Sequence, residues 1–225
     1  RDLRMSRGLG DVYKRQPQFI KMTPASNNYI YGKQPFSVVS NDNVGVAKTA
    51  LYYSTDPEAP LESWTLIDEH NGSSYSQNID TTVMTNGVVY VVAKIYDAVG
   101  NFTYSPKQRY MCDNQGPEQV KNVKCIAVDG TTATLSWSDV SDDDISYFVV
   151  ECKQSDGVWK SVSRTSTNLG VNLSGLTPEH DYVYRVIGYD KRSNRGTPSE
   201  EITVTTLKDT ICPKVTKITP DPGYF

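Results

Sequence analysis

Between residues 17 and 113, short runs of β-branched and aromatic residues alternate with clusters of Asn, Asp and Gly, and no stretch holds an apolar period of helical length. The alternation predicts strands over 34–40, 47–53, 63–67 and 88–96. Asn41-Asp-Asn-Val-Gly45, Asn71-Gly72 and Asn86-Gly87 separate them, and these residue types accept the positive φ of tight turns. Residues 117–207 carry seven further runs, at 123–128, 132–137, 147–150, 159–162, 170–173, 182–186 and 202–205. The pattern is that of two successive all-β units.

Within each strand, successive side chains point to opposite faces. In the first unit Val89, Val91, Ala93 and Ile95 read as inward, with Tyr90, Val92 and Tyr96 outward beside Tyr52. In the second, Tyr147, Val149, Tyr182, Tyr184 and Val186 read as inward, and Phe148, Val150, Val183, Ile187 and Tyr189 as outward. Contiguous exposed apolar surface marks interaction sites, and tyrosine faces stack on sugar rings. The candidate ligand-binding residues are therefore Tyr52, Tyr90, Tyr96, Phe148, Ile187 and Tyr189. Cross-strand pairing of sheet formers accounts for the same residues without a ligand, and it is the simpler reading.

The ends of the chain repeat. Pro17-Gln-Phe-Ile-Lys-Met-Thr-Pro24 returns as Pro213-Lys-Val-Thr-Lys-Ile-Thr-Pro220, an offset of 196 residues. That leaves room for two sandwich modules of roughly 100 residues before a third begins. The expected organisation is 17–113 and 114–207 as sandwiches, with 208–225 as a linker and the first strand of a truncated further module. Residues 1–16 are set aside as an artefact or a disordered tail, because Asp11-Val-Tyr-Lys-Arg-Gln16 resembles the translated read-through of a transposase adapter used in library preparation. The linkers 113–117 and 208–213 are short and end at prolines, which favours semi-rigid beads.

Particular motifs carry a family resemblance. Asp42-Asn-Val-Gly-Val-Ala-Lys48, Leu51-Tyr-Tyr53, Asn86-Gly87 and Tyr96-Asp-Ala-Val-Gly-Asn101 resemble the bacterial Ig-like modules of secreted and surface proteins, over nearly all of 17–113. In the last motif the Asp97 carboxylate caps the turn, while Gly100 and Asn101 tolerate a left-handed backbone. Residues 117–207 resemble a fibronectin type III domain, with Trp137 as the second-strand core tryptophan and Leu176-Thr-Pro-Glu-His-Asp-Tyr182 leading into a tyrosine corner. That corner implies a hydrogen bond from the Tyr182 phenol back to the backbone, with the ring filling the core. Gly188 stands where a small Ala is usual, and Asp190-Lys-Arg-Ser-Asn194 repeats the hairpin of Asp97–Asn101. The resemblance implies an all-β chain of two tandem immunoglobulin-like β-sandwiches plus the start of a third.

Charge and chemistry narrow the function. Lys and Arg number 23 against 26 Asp and Glu, a net charge of −3, and residues 1–16 are basic, so the remainder is more acidic still. No basic stripe runs along the sequence, which argues against nucleic-acid and anionic-membrane partners. No apolar run approaches the ~20 residues of a membrane helix. His70 and His180 fall in a loop and a turn, without a nucleophile elbow or a Gly-rich phosphate loop in the chain. Asp142, Asp143 and Asp144 are candidate calcium ligands, as are Asp42 and Asp97, but carboxylates in loops are more simply turn formers. Three adjacent carboxylates also do not make the pair that glycoside hydrolysis holds across a cleft.

Cys112, Cys125, Cys152 and Cys212 lack the Cys-x-x-Cys spacing of zinc sites. Parity places Cys125 inward and Cys152 outward, so four free thiols are expected. Arg195-Gly-Thr197 lacks the aspartate of the Arg-Gly-Asp integrin signal. The expected function is non-catalytic and cofactor-free: spacer or adhesive beads of a secreted or surface-attached bacterial protein. Their partners would be neighbouring modules of the same chain and a cell-surface protein or polysaccharide. The alternatives are accessory modules of an extracellular polysaccharide-degrading enzyme, with carbohydrate contacts, and direct ligand recognition by the outer tyrosine faces or loops.

Overall fold

The computed structural model describes residues 16–138, 140 and 142–210. Cys212, the second copy of the terminal repeat and all but Gln16 of the adapter-like head lie outside the described residues. Within them the chain is strands joined by turns, with two single 3-10 turns and no α-helix. It divides into two compact units at Gln115 and Gly116.

The first unit contains β1 (Gln18–Thr23), β2 (Tyr29–Ile30), β3 (Lys33–Asn41), β4 (Val46–Ser54), β5 (Thr65–Asn71), β6 (Tyr75–Asp80), β7 (Gly87–Asp97), β8 (Phe102–Tyr104) and β9 (Gln108–Cys112). One sheet runs β1-β3-β6 and the other β2-β9-β7-β4-β5, with β8 also pairing with β7. Val89, Val91, Ala93 and Ile95 lie wholly buried between the sheets, as their parity predicts, against Phe36, Val38 and Leu51. Each buried Val, Leu or Ile among them contributes about 1.5–3 kcal/mol by leaving water. Tyr110 packs edge-on to Phe36 at 5.6 Å and donates its hydroxyl to the Pro24 carbonyl at 2.7 Å. β5 starts later than the pattern predicts, because 61–63 form a 3-10 turn that seats Trp64 in the unit. His70 consequently stands on β5 opposite Thr49, and not in a loop.

The second unit contains β10 (Lys124–Val128), β11 (Thr132–Ser136), β12 (Ile145–Lys153), β13 (Trp159–Thr165), β14 (Gly170–Ser174), β15 (Asp181–Asp190) and β16 (Ile202–Thr205). All seven predicted strands are present. They form two sheets, β10-β11-β14 and β13-β12-β15-β16. Trp137 lies in the core against Phe148, ring centroids 5.6 Å apart, beside Leu135, Tyr184 and Val186. The Thr177 amide donates to the Tyr182 hydroxyl at 2.9 Å, which closes the tyrosine corner.

One parity assignment is reversed. Phe148 and Val150 face the core, while Tyr147 lies on the outer face with Val149. Either alternation along this strand reads as apolar, so sequence parity alone could not choose. Register decides: Phe148, Val150 and Cys152 oppose Gly188, Val186 and Tyr184, and cross-strand partners share a face. Cys152 is therefore a core residue, and Cys125 packs against the same core, so the two thiols do not lie on opposite sides of a sheet. Cys112, Cys125 and Cys152 are nevertheless all free.

Candidate functional site

Both units close the same hairpin with the same chemistry. Asp97 is 3% exposed; its Oδ1 accepts from the Val99 and Asn101 amides at 3.0 and 2.8 Å, and its Oδ2 from Asn101 Nδ2 at 2.7 Å. Asp190, 1% exposed, accepts from the Arg192 and Asn194 amides and from Asn194 Nδ2, each at 2.8 Å. A buried serine follows in each unit: Ser105 bridges the Ala93 amide and Ser199 the Val186 amide, both at 2.9 Å. Ala93 and Val186 each precede the hairpin aspartate by four residues. Burial disfavours the Asp97 carboxylate, but the hydrogen bonds from Asn101, Val99 and Gly100 outweigh it and hold its pKa below the ordinary range.

Tyr96 and Tyr189 each directly precede the hairpin aspartate of their own unit, and each stands on that unit's outer sheet face. In the first unit, the Lys48 ammonium lies 4.7 Å from the Tyr96 ring centroid and is paired to Glu69 at 3.0 Å. Lys94 is ringed by Phe102 at 4.1 Å, Tyr96 at 5.2 Å and Tyr104 at 5.3 Å. Burial works against the charge on Lys94, and hydrogen bonding to Tyr96 and Tyr104 outweighs it, raising its pKa. Tyr52 and Tyr90 are half-buried; Tyr52 stands opposite Val92, which is itself covered, and burial raises the Tyr52 pKa.

The second unit covers its outer face with a different set. Tyr189 stacks on Tyr147 at 4.8 Å and 7°, and the Arg164 guanidinium lies 3.5 Å from the Tyr147 centroid. Arg164 comes from the β13 side of β12 and Tyr189 from the β15 side, so the two cover opposite faces of the Tyr147 ring. Farther along, Arg185 meets Glu151 Oε2 through Nε at 2.7 Å and Nη2 at 2.6 Å, and Arg195 reaches the same oxygen at 3.4 Å. The Arg185 guanidinium also lies 4.0 Å from the Trp159 ring, with Lys153 at 5.5 Å.

These contacts sort the sequence-predicted residues. Tyr96 and Tyr189 lie on outer faces as expected, but both carry ring contacts from their own chain. Phe148 is 1% exposed inside the core, and Ile187, on the outer side, is 0% exposed beneath its neighbours. Neither meets a ligand from solvent. Asp142 caps its own turn by accepting from the Asp144 amide at 3.2 Å, and Asp144 pairs with Arg192 at 2.8 Å. Asp143 offers its backbone carbonyl to Lys191 at 3.1 Å. Asp42 accepts from the Val44 and Gly45 amides, a turn former. His70 bonds Gln77 at 2.9 Å, and His180 packs edge-on to Tyr182 at 4.7 Å.

Sequence reasoning missed the cations. Lys94 occupies an outward position between Tyr90 and Tyr96, and Arg185 shares the outward parity of Val183 and Ile187. That alternation was available as a signal. Arg164 and Arg195 were not, because they reach the face from other strands.

Residues 118–205 match the family model of the fibronectin type III domain. No curated protein sequence matches the chain. Among solved structures, the FN1–FN3 domains of chicken CNTN1 are similar with a TM-score of 0.50 at 14% identity, over 86% of this chain and 66% of that one. A set of domains from titin is similar with a TM-score of 0.51 at 16% identity, over 85% and 66%. The chain spans just under two thirds of the length of each, and at these identities the likeness shows the fold.

Proposed function

We propose that the chain is a pair of non-catalytic spacing and interaction modules from a secreted or surface-attached bacterial protein. The fibronectin type III match supports this for the second unit, since such domains are interaction modules typical of extracellular proteins. The observation that carries the reading furthest is the covering of the outer faces. Rings that would stack on a neutral sugar are held against the chain's own cations and against one another, as in the Arg164, Tyr147 and Tyr189 stack. Each such contact contributes about 0.5–1 kcal/mol to the sheet it covers. The side chains that sequence reasoning singled out for chemistry serve turns, ion pairs and ring packing, as Asp142, Asp144 and His180 do in turn. No helix among the described residues is long and apolar enough to cross a membrane.

Incubation of the chain with a panel of neutral and acidic polysaccharides tests the non-catalytic reading. No new reducing ends form; release that scales with protein concentration and is lost in an Asp142→Asn, Asp144→Asn variant overturns it.

A further inference from the structure

The second unit is acidic, yet its outer face is not. Residues 116–210 contain ten Lys and Arg against fourteen Asp and Glu. The outer face of the β13-β12-β15-β16 sheet gathers four of those cations, Lys153, Arg164, Arg185 and Arg195, around two carboxylates, Glu151 and Glu201, with a third, Asp181, at the far end of β15 bonded by Thr205. It is a positive island on a negative body. Glu201 neutralises Lys153 at 3.3 Å, and Glu151 is shared by Arg185 and Arg195, so two guanidiniums face one carboxylate. Arg164 is exposed, and among the described residues no carboxylate lies within 4 Å of it.

The register sets these charges in rows. Arg164 opposes Val149, which opposes Ile187; one row on, Glu151 opposes Arg185. Successive rows on one face of a strand stand about 7 Å apart. Arg164 lies against the Tyr147 ring, and Arg185 against Trp159 and Glu151, so both guanidiniums are positioned before any ligand arrives. Ordering in advance lowers the entropy cost of binding.

We infer that this face binds a polyuronate, an acidic polysaccharide whose successive carboxylates are taken by Arg164 and by Arg195 with Arg185. A planar guanidinium matches a carboxylate with paired N–H donors, which a neutral sugar cannot use. Both faces of Tyr147 are already covered, so charge and not ring stacking must recognise the ligand. The charges are spread across three neighbouring strands and the segment after β15, which suits an extended polymer lying across the strands. The inference goes beyond the spacing reading and stands or falls separately from it.

Titration calorimetry of the full chain against polygalacturonate, with dextran and single-stranded DNA as comparators, tests it at low and at physiological salt. Polygalacturonate binds, dextran does not, and added salt weakens the binding. R164Q and R195Q each weaken it roughly tenfold or more, the loss of one charge-assisted hydrogen bond. K124Q and K208Q, which remove the same charge from elsewhere in the unit, leave it unchanged. Absence of polygalacturonate binding, equal losses in all four variants, or DNA bound as tightly through the same arginines each overturns the proposal. A chain that fails here and still unfolds as two separate units retains its spacing role.

Discussion

The side-chain amide of Asn101 donates to Asp97 Oδ2 across 2.7 Å, closing the hairpin around a carboxylate that is almost wholly removed from solvent. Asn194 closes on Asp190 in the same way at 2.8 Å. The two units differ along most of their sequence, and both solve the junction after their longest strand with one aspartate and one asparagine four residues apart.

Because the folded-state pKa of Asp97 is lowered, its carboxylate stabilises the first unit above the unfolded value of about 3.9, and that contribution is lost as pH falls through the folded value. Asp80, which accepts from the Thr82 hydroxyl and amide, is lowered as well and acts in the same window. Urea unfolding of the chain at pH 6, 4, 3 and 2 follows this loss. Asp97→Asn flattens the acid dependence of the first transition while lowering its stability at pH 6; an unchanged slope contradicts the assignment.

The hairpins differ at their third turn position, where Gly100 has φ +95° and Ser193 has φ +65°. A left-handed backbone costs a residue with a Cβ about 1 kcal/mol. Ser193→Gly therefore stabilises the second unit by roughly 0.5–1 kcal/mol, and Gly100→Ser destabilises the first by a similar amount. Thermal unfolding of both variants measures the two signs.

Gly188 and Gly196 separate two roles of glycine in the second unit. A Cβ on Gly188 would meet the Ile145 and Pro117 side chains at 3.4 Å, an ordinary contact. One on Gly196 would meet the Pro117 and Gly188 carbonyl oxygens at 2.6 and 2.9 Å, where backbone must move. Gly188→Ala is neutral or stabilises by up to about 1 kcal/mol, through a less flexible unfolded chain. Gly196→Ala destabilises by roughly 2 kcal/mol or more. Chemical denaturation distinguishes them.

Most of the fold was legible from alternation, because strands covered on one face and wet on the other write their parity into the sequence. All seven strands of the second unit emerged this way, whereas the Tyr182 corner came from the family resemblance carried by residues 176–182. The parity of β12 did not, since Tyr147 and Val149 are as apolar as Phe148 and Val150 and only pairing with β15 separates them. The outer-face chemistry was still less legible. Glu151, Arg185 and Arg195 come from β12, β15 and the segment after the Asp190 hairpin, and folding alone gathers them.

The corrected parity has its own consequence for the thiols. Cys112 and Cys152 are buried, and burial raises both pKa values, whereas Cys125 is only partly covered. Alkylation of the native chain, read by peptide mass spectrometry, modifies Cys125 well ahead of Cys112 and Cys152. Equal rates at all three contradict this placement.

Stretching single chains from their ends tests the account most directly, because two separately closed sandwiches must give way separately. Each unit has its own buried core, and the second matches a family domain over 118–205. Two distinct unfolding events are predicted, each lengthening the chain by roughly 300 Å at about 3.4 Å per residue released. A single step of twice that length, or extension without resistance, would contradict the two-module account.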